Sequence, residues 1–164
     1  MDISEVQPGD KDLVNVFIES EKDSKNYYKY DTKKGMFTLK KVMKTTFPGS
    51  FGFIPKTHHV DGQPMDVLML ASDSIEQGIV VEARPIGMIR MKAEIPDDIL
   101  VAVPVADSEF EKLKDLSKVD NDTMKSLKAF LEEFKEMKVE NVFDSDHAKN
   151  AVRRSIELYR RSLM

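Results

Sequence analysis

The hydrophobic pattern of this chain changes its period once, near residue 107, and any fold must accommodate both parts. Before that point the apolar residues fall in short stretches rich in β-branched and aromatic side chains, separated by turns such as Lys34-Gly35, Pro48-Gly49 and Gln77-Gly78. Many short strands with frequent turns are typical of a β-barrel or sandwich. The predicted strands are residues 14–19, 27–31, 36–43, 66–70, 79–91 and 100–105.

After residue 107 the apolar residues recur with the period of a helix. A second amphipathic helix is predicted from about Ser145 to Leu163, and a short helical turn at Lys112 to Leu116. Asp120 to Asp122 supply N-cap candidates for the first helix. We therefore predict one α+β domain, residues 1–164, in which a β-barrel is followed by two main helices packed against it. The predicted apolar face of the first helix consists of Met124, Leu127, Phe130, Leu131, Phe134 and Met137.

Composition and charge argue against several classes of partner. The net charge is −4 with acidic and basic residues mixed along the chain, whereas nucleic-acid binders more often carry a basic excess, so no nucleic-acid partner is expected. No run approaches the ~20 apolar residues that span a bilayer, and the first residues lack the pattern of a signal peptide, so we expect no membrane partner and a cytoplasmic location. Cysteine is absent, which excludes disulfides and thiolate metal sites.

The segment from residue 51 to residue 68 is the most informative about chemistry. Asp61 and Gln63 are two residues apart, so their side chains share a face in an extended chain, and Asp66 begins the apolar strand that follows. Carboxylates that converge at a rigid turn suit Mg²⁺, which takes oxygen ligands and keeps waters for a phosphate substrate. The alternative is an ordinary hairpin turn followed by a solvated strand end. The preceding His58 and His59 are expected to be exposed to solvent rather than to bind metal.

Four spaced motifs occur in an order that resembles one protein family. The segments F-G-F-I-P at 51–55 and D-G-Q-P-M-D-V-L at 61–68 are similar to the family motifs Y-G-(Y/F)-I-P and D-G-D-P-x-D-V-L, and R-P-I-G-M at 84–88 and L-V-A-V-P at 100–104 are similar to two later strands. The family is that of the single-domain, magnesium-dependent inorganic pyrophosphatases. The resemblance implies a five-stranded OB-type barrel with helices alongside, hydrolysis of pyrophosphate to two phosphates with Mg²⁺, and a homo-oligomer of six subunits or fewer.

The resemblance also assigns roles to individual residues. Asp31 stands where the family has a glutamate, and Lys41 is the nearest match to a family arginine. One metal-binding aspartate of the family matches Asp97 or, as the alternative, its neighbour Asp98. The metal ligands that the resemblance implies are Glu19, Asp31, Asp61, Asp66 and Asp97. The residues that it implies for binding pyrophosphate or phosphate are Lys29, Lys41 and Lys135.

The chain departs from the family at several positions of the pocket. Gln63 replaces an aspartate that binds metal and accepts a proton from the attacking water, and an amide cannot be a general base. A positioned base is typically worth 10²–10⁴-fold in rate. Ala93 falls at another metal position unless Glu94 takes its place, and Ile99 replaces a phosphate-binding lysine. Three phenylalanines stand where family members have tyrosine: Phe47, Phe51 and Phe134.

Two functions are consistent with these residues. The first is Mg²⁺-dependent pyrophosphate hydrolysis, with an activity reduced by the residues at Gln63, Ala93 and Ile99. The second is a catalytically inactive homologue that binds phosphate compounds or regulates an active relative by co-assembly. A third function, oligonucleotide binding by the barrel, is disfavoured because the chain is acidic and has no strand in which aromatic and basic residues alternate.

Overall fold

The computed structural model describes residues 2–164, and its central element is a ring of strands. Most of the strands are short, whereas β6 extends over twelve residues and can therefore pair with three neighbours along its length. The strands are β1 Val14–Ser20, β2 Asn26–Asp31, β3 Met36–Val42, β4 Ser50–Phe53, β5 Asp66–Met69, β6 Val80–Met91, β7 Asp97–Pro104 and β8 Val139–Phe143.

The ring closes because β1 pairs with strands on both of its sides. The order is β1-β4-β5-β7-β6, and β6 pairs back to β1. All of these pairs are antiparallel except β5 and β7, which are parallel. β8 pairs with β6 outside the ring, and β2 and β3 form a separate hairpin. The pairing confirms the five-stranded barrel that the sequence motifs implied.

Two helices follow the barrel, as the change of period predicted. They are α1, Asn121–Lys135, and α2, Ser145–Ser162. The carboxylate of Asp120 accepts a hydrogen bond from the backbone N–H of Thr123, and Asp144 caps α2 in the same way. The helical turn predicted at residues 112–116 is wrong. One 3₁₀ turn, Ser108–Phe110, ends before this range and another, Leu116–Lys118, begins at its last residue, because Asp107 and Asp115 cap those positions instead.

The core has two parts, and β7 contributes to both. Because successive residues of a strand point to opposite faces, Ile99 and Val101 pack with α1, whereas Leu100 and Ala102 pack in the cluster that includes α2. The buried face of α1 is formed by Leu127, Phe130, Leu131 and Phe134, as predicted. No helix within residues 2–164 is long and apolar enough to cross a membrane. The two faces of β7 thus define two sides of the molecule.

Candidate functional site

A cluster of charged side chains lies where β5 and β7 begin and α1 ends. Asp66 is the first residue of β5, Asp97 the first of β7, and Lys135 the last of α1. Because β5 and β7 are parallel neighbours, their first residues lie at the same edge of the sheet. The ammonium Nζ of Lys135 is 3.3 Å from Oδ2 of Asp66 and 3.3 Å from Oδ2 of Asp97. Two carboxylates therefore converge on one ammonium, and we call these three residues the Lys135 cluster.

A second acidic and basic pair lies close to this cluster. Glu19, in β1, is fully buried, and its Oε2 accepts a hydrogen bond of 2.8 Å from the backbone N–H of Tyr30. Nζ of Lys29 is 3.7 Å from the same oxygen, whereas the other oxygen, Oε1, has no hydrogen-bond partner. Burial raises the pKa of Glu19 to about 7, with Lys29 opposing the shift and the charge of Asp66 adding to it.

Burial and the neighbouring charges act in opposite directions on Asp66 and Lys135. Burial raises the pKa of Asp66, and the charge of Lys135 opposes that shift. Burial also disfavours the charged form of Lys135, but the carboxylates of Asp66 and Asp97 outweigh it and raise the pKa of this lysine. The side chains are 22%, 21% and 18% exposed for Asp66, Asp97 and Lys135, so an anion or cation from solvent can reach them.

Tyr27 belongs to the same site and was missed in the sequence. Its ring lies edge-on to Phe134, with 4.7 Å between centroids, and to Phe51, with 6.1 Å. Burial is the main cause that raises the pKa of Tyr27, and the nearby charges of Glu19, Asp66 and Asp97 raise it further. The hydroxyl of Tyr27 therefore keeps its proton at neutral pH. The sequence feature that could have identified it is its position two residues before Lys29, which places both side chains on one face of β2.

Four apolar residues form one continuous wall beside Lys135: Phe47, Phe51, Ile99 and Phe134. Phe134 packs against Phe51 at 5.0 Å and against Phe47 at 5.7 Å between ring centroids. Ile99 is fully buried in the same cluster. Nζ of Lys135 lies 5.4 Å from the centroid of the Phe134 ring. These four apolar side chains are therefore packed together and make one side of the pocket apolar.

The Asp61 turn is exposed to solvent. Oδ1 of Asp61 accepts a hydrogen bond of 3.0 Å from the backbone N–H of Gln63, and both residues are exposed. Gly62, between them, has a φ of +78°, which favours glycine at this position. No side-chain hydrogen bond or ion pair of the described residues joins this turn to the Lys135 cluster.

Four further residues that the resemblance placed at the site form no side-chain hydrogen bond or ion pair with the Lys135 cluster in the described part of the chain. Asp31 accepts hydrogen bonds from the backbone N–H groups of Lys33 and Lys34 in the β2–β3 turn. Nζ of Lys41 lies 3.2 Å from the carbonyl of Glu133 and 3.4 Å from that of Phe134, at the end of α1. The remaining two residues are exposed in the loop between β6 and β7: Ala93 and Glu94.

Asp98 points to the opposite face of β7 from Asp97. Its carboxylate accepts hydrogen bonds from Nε of Arg90 at 2.8 Å and from Nε2 of His59 at 2.7 Å. Although burial opposes the charged form, these bonds hold the pKa of Asp98 below its ordinary value. Of the two neighbouring aspartates, it is Asp97 that lies with Lys135. The expectation that His59 is exposed is wrong, since its side chain is only 12% exposed.

The donor set at the Lys135 cluster fits Mg²⁺ in its chemistry. Within residues 2–164 no group of three acidic or histidine side chains is close enough to hold a metal ion together. Mg²⁺, however, is usually bound by one or two carboxylates, and waters and substrate phosphates complete its ligands. Asp66 and Asp97 supply two carboxylates at one point, and Oε1 of Glu19 is a nearby buried oxygen without a partner.

The fold and the cluster define a class of protein, a five-stranded barrel with a pocket of carboxylates and lysines at one edge. A sequence model of the family described as Inorganic pyrophosphatase matches residues 16–160. The chain belongs to the inorganic pyrophosphatase family.

Individual relatives are similar over almost the whole chain. The inorganic pyrophosphatase of Sulfolobus acidocaldarius is 34% identical over 157 residues, which cover 89% of this chain and 91% of the relative. The crystal structure of the inorganic pyrophosphatase from Thermus thermophilus matches with a TM-score of 0.88 and 30% identity, covering 98% of this chain and 99% of that chain. The Helicobacter pylori inorganic pyrophosphatase matches with a TM-score of 0.88 and 28% identity, covering 95% and 99%.

Proposed function

We propose that this chain binds pyrophosphate at the Lys135 cluster and hydrolyses it with Mg²⁺ more slowly than its relatives do. The observation that carries the proposal is the position of Lys135, 3.3 Å from the carboxylates of both Asp66 and Asp97. A site with two converging carboxylates and a lysine can hold a divalent cation and a phosphate anion next to each other. The similarity to inorganic pyrophosphatases supports this choice of substrate.

The residues of the chain supply binding and orientation in this proposal. Asp66 and Asp97, with Glu19 nearby, would hold a Mg²⁺ ion, which when bound would neutralise phosphoryl charge and lower the pKa of a bound water. The ammonium groups of Lys29 and Lys135 bind phosphoryl oxygens, and the hydroxyl of Tyr27 donates a hydrogen bond to them. The apolar wall limits the water around the substrate, which strengthens these electrostatic interactions. Asp61, Asp31 and Lys41 remain proposed contributors from the family resemblance.

Slow turnover follows from the groups that the pocket lacks. Gln63 is a neutral amide and cannot accept the proton of an attacking water. Ile99 provides no positive charge, and Ala93 provides no metal ligand. Because proton transfer by a positioned base is typically worth 10²–10⁴-fold, the amide alone accounts for a large loss of rate.

The apolar wall favours a second candidate function. Phe47, Phe51, Phe134 and Ile99 pack as a continuous cluster, so the pocket has fewer groups that can stabilise a transition state. A catalytically inactive chain would still bind phosphate compounds through its lysines. It would also be able to regulate an active relative by co-assembly, given the homo-oligomer of six subunits or fewer that the resemblance implies.

Calorimetric titration of pyrophosphate in the presence of Mg²⁺ tests the binding site. Lys135→Met removes the charge of the cluster, and Lys125→Met is a matched control because Lys125 is exposed on the same helix and also loses one positive charge. We expect Lys135→Met to bind at least about tenfold more weakly and Lys125→Met to bind like the wild type, whereas Lys135→Arg retains most of the affinity. Equal affinities for Lys135→Met and Lys125→Met would contradict the proposed site.

Phosphate release by the same proteins separates the two candidate functions. Slow Mg²⁺-dependent release that is lost in Lys135→Met supports hydrolysis at this cluster. Saturable binding without any release supports the inactive homologue instead. The test for co-assembly is size-exclusion chromatography of the chain mixed with an active relative.

A further inference from the structure

A second cavity, of about 410 Å³, lies on the side of β7 that faces away from the Lys135 cluster. Its walls are α2 and the turn after β4, and Asp98 lies at its base. Because Asp97 and Asp98 point to opposite faces of β7, this α2 cavity and the Lys135 cluster do not share side chains. The proposed hydrolysis and phosphate binding at the Lys135 cluster do not involve this cavity.

The walls of the α2 cavity are held in place by hydrogen bonds and ring stacking. The backbone N–H of His58 donates to the carbonyl of Ser155 at 2.9 Å, which joins the turn to α2. The buried carboxylate of Asp98 fixes Arg90 and His59 on the cavity floor. The ring of His147 stacks on Phe143, with 3.8 Å between centroids and an angle of 7°. The cavity is therefore a built feature of the fold.

The charged residues of the cavity lining are three arginines and two carboxylates, so the sum of their charges is positive. Arg154 and Arg161 lie seven residues apart on α2, which is about two helical turns, so both project to one side of the helix. In residues 2–164 no carboxylate lies within ion-pair distance of either guanidinium. The two acidic residues of the lining have partners already, since Asp98 pairs with Arg90 and Glu157 with Arg153.

The rest of the lining is apolar or aromatic. Met88 is buried, while Val60 and Leu158 are exposed at 59% and 39%. The His147 imidazole presents a further planar surface. Cavities of this size, with apolar walls and a few charged groups, are typical of small-molecule sites. Guanidinium groups bind phosphate with two parallel hydrogen bonds.

We propose that the α2 cavity binds a small organic phosphate of about the size of a nucleoside monophosphate. Arg154 and Arg161 bind its phosphate group, and its apolar or planar part packs against Val60, Leu158 and His147. Inorganic phosphate and pyrophosphate have no apolar part, so the walls favour an organic phosphate over both. This binding is separate from the proposed hydrolysis, which takes place on the other side of β7.

Calorimetric titration with adenosine monophosphate tests the proposal. The variant is Arg154→Gln with Arg161→Gln. The control is Lys125→Gln with Arg160→Gln, which removes the same charge from exposed positions that do not line the cavity. We expect saturable binding by the wild type and the control with equal affinity, and at least tenfold weaker binding by the variant. Adenosine and inorganic phosphate are each expected to bind at least tenfold more weakly than adenosine monophosphate.

Three outcomes would overturn this proposal. The first is no saturable binding of adenosine monophosphate by the wild type at millimolar concentrations. The second is an equal loss in both double variants, which would show only a general effect of charge. The third is loss of binding in Lys135→Met, which would place the ligand at the Lys135 cluster. Failure of pyrophosphate binding leaves these results unaffected, so the two proposals fail independently.

Discussion

The side chain of Gln63 carries an amide where a carboxylate would be able to accept a proton. We predict that Gln63→Asp increases the rate of phosphate release at least about tenfold, because a positioned base is typically worth 10²–10⁴-fold. Gln63→Asn, which keeps the amide, is the control and should leave the rate unchanged. The exposed position of Gln63 means that neither change disturbs the core. Equal initial rates for both variants would exclude the missing base as the cause of slow turnover.

The buried carboxyl of Glu19 makes the stability of the protein depend on pH. Its pKa is about 7 in the folded state and near 4.5 ordinarily, so between these values the folded chain holds a proton that the unfolded chain releases. Stability from this group is therefore full below about pH 4.5 and is lost as the pH rises through 7, by about 3 kcal/mol. We predict that Glu19→Gln removes this loss while keeping an oxygen for the N–H of Tyr30.

Urea unfolding at several pH values between 4.5 and 8, without metal, measures this effect. The difference in unfolding free energy between wild type and Glu19→Gln should change steadily across the range, with the variant gaining relative stability as the pH rises. Parallel pH profiles for the two proteins would mean that Glu19 titrates normally.

For individual residues, the sequence predicted which side chains belong to the site better than it predicted which of them form ion pairs with each other. Asp66 and Lys135 are far apart in the chain, and only the parallel pairing of β5 with β7 and the packing of α1 bring them to 3.3 Å. Tyr27 was missed because a tyrosine in a strand is equally typical of a core. Asp31 was assigned because it stands where the family has a glutamate, and its side chain accepts hydrogen bonds from the backbone of the β2–β3 turn.

Among the strands and helices, β7 most clearly limits which side chains the pocket can hold. Ile99 is fully buried on the face shared with Phe51 and Phe134, so a lysine there would place a charge among apolar groups. We predict that Ile99→Lys lowers the unfolding free energy by about 3 kcal/mol or more, whereas Ile99→Val costs about 1 kcal/mol. Urea unfolding measures both. A loss below about 1 kcal/mol for Ile99→Lys would show that this side chain can reach solvent.

The same packing has a consequence for attempts to restore activity. Ile99→Lys alone should fail to increase phosphate release, because the neighbouring phenylalanines offer its ammonium no hydrogen-bond acceptor. We expect an increase only when Phe51→Tyr and Phe134→Tyr are combined with Ile99→Lys.

Elements with a clear period were predicted, and those without one were missed. α1 and α2 have long apolar faces, and their bounds agree with the predictions within a few residues. β4 is only four residues long and is buried throughout, so it shows no alternation. β8 lies at the edge of the sheet with mostly exposed residues, and its sequence has little to distinguish it from a loop.

For the whole molecule, β7 separates two charged sites. Asp97 points to the Lys135 cluster and Asp98 to the α2 cavity. The side chain of His59, just before the turn that carries Asp61 and Gln63, is hydrogen-bonded to Asp98. The fold matches solved pyrophosphatases closely at about 30% identity. The chain thus has the fold of these pyrophosphatases, and one side of its pocket is lined by apolar side chains.

The most direct test is the turnover number for pyrophosphate at saturating Mg²⁺, measured side by side with the Helicobacter pylori inorganic pyrophosphatase under the same conditions. We predict a rate for this chain at least about 10²-fold lower, since the amide of Gln63 cannot accept a proton. Lys135→Met should abolish whatever release remains, which excludes a contaminating enzyme. A turnover number within tenfold of the relative would contradict the proposal of slow turnover, because it would mean that neither the amide of Gln63 nor the apolar side chain of Ile99 limits hydrolysis.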